Sequence, residues 1–209
     1  MMKLEIFNFA AMTLREKKFN LIHRLLHWTI TSTILFLLFT VFLRSGWMNK
    51  KHIGEIVIQK LGESGYTISQ KDAYGVGSAV RNSMWQWHTI FGYVLIGLYV
   101  IRMIVVAKQG LAYKNPLGAG LTSKEKFRSW LYLIFYFLLT ITLVTGFVIV
   151  NGPKSMKEPM VFIHTKALYY VTAFIILHIA GVLIADGGEE KGIISKMVSG
   201  DKTPESKSS

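Results

Sequence analysis

The chain has 209 residues, 51% of them hydrophobic and only 17% charged, where a soluble domain carries about 25% charged residues. Lys and Arg number 24 against 12 Asp and Glu, a net charge of +12, and there is no cysteine. Disulfides and cysteine-held metal centres are thereby excluded, the positive charge suits anionic lipid headgroups, and no soluble basic face is left for nucleic acid.

Residues 1–20 read as a short amphipathic cytoplasmic segment, with Phe7, Phe9 and Phe19 set among charges. They lack the apolar core of a signal peptide, so the first spanning helix is expected to act as the insertion signal. The first apolar run, Leu25–Leu43, contains no charge and is close to the roughly 20 residues that cross a bilayer. A long outer loop is expected over residues 45–87, holding Gly62, Gly65, Gly75 and Gly77, with Ile53–Leu61 as a short surface helix. The second run, Thr89–Val106, has one charge, Arg102. A basic connection with Pro116 leads to the third run, Trp130–Val150, again without charge. After a brief connection the fourth run, Val161–Ile184, holds one charge, Lys166. The tail, residues 189–209, ends in Thr203-Pro204-Glu205-Ser206-Lys207-Ser208-Ser209 and is expected to be partly disordered. All five tryptophans (Trp28, Trp47, Trp85, Trp87, Trp130) lie at or just outside the ends of the runs, as in an interfacial belt.

These features predict an all-α, four-helix transmembrane bundle over residues 21–188. The segments facing one side (1–24, 107–129, 185–209) hold fourteen Lys and Arg, and those facing the other (44–88, 151–160) hold eight. Positive charge stays inside, so both termini of the multi-pass chain are expected on the cytoplasmic side.

Histidine placement is the chemical signal. His164 and His178 lie fourteen residues apart in the fourth run, just under four turns or about 21 Å, so both leave nearly the same helix face at two depths. With the N-terminus inside, His27 near the start of the first helix lies close to the inner surface, and His88 opens the second helix at the outer surface. Two pairs follow, His27 with His178 and His88 with His164, each drawn from different helices as bis-axial ligation of two haems requires. Without a C-x-x-C-H motif, such haems would be b-type. Arg102 lies fourteen residues after His88, on its face and at the depth of the inner pair. A charge within a span needs a partner, and a haem propionate suits a guanidinium. Gly92, one turn after His88, leaves room for a porphyrin edge, and Lys166 either pairs with an outer propionate or snorkels. His23, one turn before His27, is an interfacial side chain or a quinone or propionate contact. His52 in the outer loop reads as solvent-exposed. A lone histidine at a helix start is more often interfacial than a ligand; His178, about two turns inside its run, is harder to read that way.

The residues from His27-Trp28 through His88-x3-Gly92-x9-Arg102 to His164-x13-His178, with Ile194–Gly200 after the last run, resemble bacterial di-haem b-type cytochromes of the cytochrome b-561 kind, including the membrane subunits of nickel–iron hydrogenases. The resemblance implies that the four histidines are axial ligands to two b haems, and that electrons pass between a quinone pool and a redox partner subunit or soluble donor. Whether the chain is itself an enzyme or the electron-transfer subunit of a quinone-linked oxidoreductase stays open, as do a stand-alone superoxide:quinone oxidoreductase and a homodimer. Quinone is expected at the inner surface, near His23, Arg24, Lys108, Asp186 and Glu189. The rival from another class is a histidine-based metal or proton transporter. Such sites usually recruit carboxylates, and the four apolar runs contain no Asp or Glu.

Overall fold

The computed structural model describes residues 20–109, 115–118, 120–188 and 190–200. The expected N-terminal amphipathic segment, the end of the tail and Glu189 lie outside the described residues. The elements are α1 (Leu21–Ser45), α2 (Lys50–Glu63), α3 (Gln70–Gln109), α4 (Ser123–Asn151), a 3-10 turn (Lys154–Met156), α5 (Lys157–Thr165), α6 (Ala167–Gly187) and α7 (Ile193–Ser199). No strand occurs among the described residues. Four segments are long and apolar enough to cross a membrane: Leu21–Ser45, Gln70–Lys108, Ser123–Asn151 and Lys154–Gly187. The fold class is thus the expected all-α, four-span membrane protein.

Local signals explain where the first four helices begin. The Asn20 side chain accepts the His23 N–H at 2.8 Å, and Asn49 accepts from Lys51 at 3.0 Å. Ser69 Oγ accepts the Asp72 N–H at 3.2 Å. Thr122 and Glu125 form a reciprocal capping box, which satisfies two helix donors that otherwise lack partners.

The chain divides into two compact units, Met1–Thr29 with Tyr99–Ser209, and Ile30–Leu98. In the second unit, the region expected as a loop over 45–87 is mostly helical. It forms α2 and the first turns of α3, which has 40 residues and at 1.5 Å per residue is about 60 Å long, twice the hydrocarbon thickness. Gly54 of α2 lies against Ala73 and Tyr74 of α3, and Gly77 of α3 against the Lys50 backbone. This approach leaves Ala73 fully buried. Of the glycines expected in a loop, Gly77 serves the close helix crossing instead, and the Ser69–Asp72 cap starts α3 ahead of it.

In the first unit, α4 packs against α5 and α6, and α6 against α7. The Phe135 and Phe174 rings stack at 3.6 Å between α4 and α6. The fourth run is two helices rather than one. The Lys166 N–H bonds to the Ile163 carbonyl at 3.1 Å, a three-residue step, so the helical ladder is interrupted between His164 and His178. Apolar side chains face outward along these helices: Phe137, Phe162 and Ile184 are each more than 60% exposed. Water would penalise such a surface, and lipid tails accept it.

Candidate cofactor site

Within the first unit, α1 and α6 bring His27 and His178 side by side, with ring centres 6.0 Å apart and planes inclined at 52°. Two imidazoles opposed across one metal ion, with bonds of about 2.0 Å, have ring centres about 6 Å apart. His27 and His178 are thus spaced as two imidazoles that would hold one metal ion between them. His178 is fixed by its neighbours: Phe174 stacks on it at 5.6 Å, and the Tyr132 hydroxyl lies 3.2 Å from Nδ1. A metal-binding imidazole commonly engages its other ring nitrogen in this way, which sets ring orientation and basicity. Trp28 stands edge-on to His27 at 5.4 Å.

His164, at the end of α5, lies on α4. Its Nδ1 is 3.1 Å from the Thr142 carbonyl and 3.3 Å from the Thr145 hydroxyl. Beneath it is Gly146, where a Cβ would come within 2.9 Å of His164 Cε1. In the second unit, the Thr40 hydroxyl meets His88 Nδ1 at 2.7 Å, and the Trp85 ring stacks on His88 at 4.3 Å with planes only 6° apart. The Arg44 guanidinium lies over the Trp85 ring at 4.2 Å. His88 and His164 thus belong to different units, and each is defined within its own.

Arg102 meets a partner that sequence reasoning did not assign to it. Its guanidinium contacts His23 Nδ1 at 3.1 Å and Nε2 at 3.2 Å, and its Nε donates to the Tyr136 hydroxyl at 3.1 Å. His23 and Arg102 form one half-buried polar cluster within the first unit. Lys166 places its ammonium 4.8 Å over the Phe162 ring. Apart from its chain neighbours and its own helix backbone, Gly92 has no atom within 4 Å of where a Cβ would lie. Of the residues considered for quinone, Lys108 is exposed near the end of α3, while Arg24 and Asp186 hydrogen-bond to α7.

Sequence reasoning missed the residues that hold the imidazoles: Thr40, Trp85, Tyr132 and Gly146. One signal was present. Gly146 is the lone glycine in the charge-free third run, where glycine costs about 1 kcal/mol relative to alanine unless packing requires it. Among the described residues, no group of three or more His, Cys, Asp or Glu comes together, whereas a catalytic or structural zinc site uses three or four protein ligands.

The arrangement is that of an all-α membrane protein with paired imidazoles held inside its spans. The family model for prokaryotic cytochrome b561 matches residues 18–200, and the chain belongs to that family. Membership implies b-type haem and transmembrane electron transfer. Neither the curated proteins nor the solved structures contain a match to the chain.

Proposed function

We propose that this protein carries two b haems, one held by His27 and His178 and one by His88 and His164, and moves electrons between a quinone pool and a redox partner. The observation that carries the reading is the His27–His178 pair, 6.0 Å between ring centres, with Tyr132 on His178 Nδ1. The second pair rests on helix register in the sequence and is supported by Nδ1 contacts on both imidazoles. Bound b-type haem supplies a one-electron carrier whose potential follows its ligands and surroundings. The chain's own part is to fix three of the imidazoles through Nδ1 contacts and His27 through ring packing, and to exclude water with aromatic side chains.

Arg102 and His23 offer a cation and an imidazole for a haem propionate or a quinone headgroup at the inner end, with Tyr136 orienting the guanidinium. The outer haem exchanges electrons with a partner subunit or a soluble donor, and both termini face the cytoplasm of the bacterial inner membrane. Pyridine haemochrome analysis of protein made in iron-replete cells should give two haems per chain. A content well below that defeats the four-histidine assignment. A colourless protein with stoichiometric zinc would instead establish the transporter.

A further inference from the structure

The two helices that carry the close imidazole pair are joined by the same short element. Asp186, eight residues after His178 on α6, accepts the Ile194 N–H at 3.2 Å at the start of α7. At the other end of α7, Trp28 of α1 donates its indole N–H to the Met197 carbonyl at 3.1 Å. Arg24, one turn earlier on α1, donates to the Val198 carbonyl at 3.2 Å. The last carbonyls of a helix lack intrahelical partners and carry partial negative charge, so a guanidinium and an indole N–H suit that end. Gly200 completes the contact. Its φ is +88°, and a Cβ there would lie 2.7 Å from Arg24 Nη1, so a side chain at this position would strain the backbone and displace the guanidinium.

We propose that α7 is a latch that sets the position of His27 against His178, with Arg24, Trp28 and Gly200 as positioning residues; this rests on the haem reading above. A helix of 7 residues has no stability of its own in water, so α7 persists through the contacts at its two ends. Those contacts tie α1 to α6 within one turn of His27. Trp28 links latch and ligand directly, since its ring lies edge-on to His27 while its N–H holds Met197.

The test uses the full-length protein in detergent beside Gly200→Ala, Trp28→Phe (which removes the N–H donor together with one ring of the indole) and a chain ended after Lys191. Electron paramagnetic resonance reads each haem separately, pyridine haemochrome reads content, and hydrogen exchange reads residues 21–29. The variants should alter or deplete the His27/His178 haem signal, with content falling from two per chain toward one. The His88/His164 signal should stay unchanged, and exchange in residues 21–29 should rise. Unchanged signals from both haems in the shortened chain overturn the latch, whatever exchange does. A wild-type protein without haem defeats the haem reading first and the latch with it.

Discussion

His178 and His88 are both held at Nδ1 by a hydroxyl, yet their surroundings differ in kind. Around His178, Phe174 stacks at 5.6 Å and Tyr132 closes the other contact, so the ring is packed among aromatic groups from α4 and α6. Around His88, Trp85 stacks at 4.3 Å and the Arg44 guanidinium lies 4.2 Å over the Trp85 ring, which brings a cation to this stack. With both histidines as haem ligands, as proposed, ligand identity would be the same, and any difference in haem potential would come from hydrogen bonding, burial and nearby charge.

The largest effect should come from removing a ligand. His178→Ala should lose one of two haems and leave the signal of the His88/His164 haem intact; loss of that other haem alone would break the pairing. Next comes Gly146→Ala, because a Cβ would lie 2.9 Å from His164 Cε1. Overpacking of this kind typically costs about 1–3 kcal/mol, and haem titration should show the His88/His164 haem weakened while the other is kept. Tyr132→Phe and Thr40→Val remove one Nδ1 contact each. Outer-shell losses typically weaken a metal site by about 10- to 100-fold, each variant affecting only its own haem in a redox titration. The smallest expected effect belongs to Arg44→Leu. Removing a cation disfavours the reduced state, so the midpoint potential of the His88 haem should fall by tens of millivolts, with the His178 haem unmoved. Equal shifts in both would show that the stack does not separate the two sites.

Much of the fold was legible because crossing a membrane is a constraint on composition. A run such as Trp130–Val150, without a single charge, has few alternatives once length and hydropathy are read. The helix ends were written locally too, as in the Thr122–Glu125 box, although the Ser69–Asp72 cap passed unread and α3 was expected to start much later. The close approach of His27 and His178 is consistent with counting residues along helices, even though the interruption at Lys166 breaks the single rod on which that counting relied. The groups around the histidines were not legible. Tyr132 is 46 residues from His178 and Thr40 is 48 from His88, and nothing in local periodicity links such positions.

The amino-acid order alone established a four-span, all-helical membrane protein, because hydrophobic length and helical pitch are properties of single segments. Tertiary structure decided which hydroxyl, ring or glycine touches each imidazole, why Arg102 faces His23, and where α7 docks. Those outcomes depend on how side chains from distant segments fill shared space, and packing complementarity exists only once the helices have met.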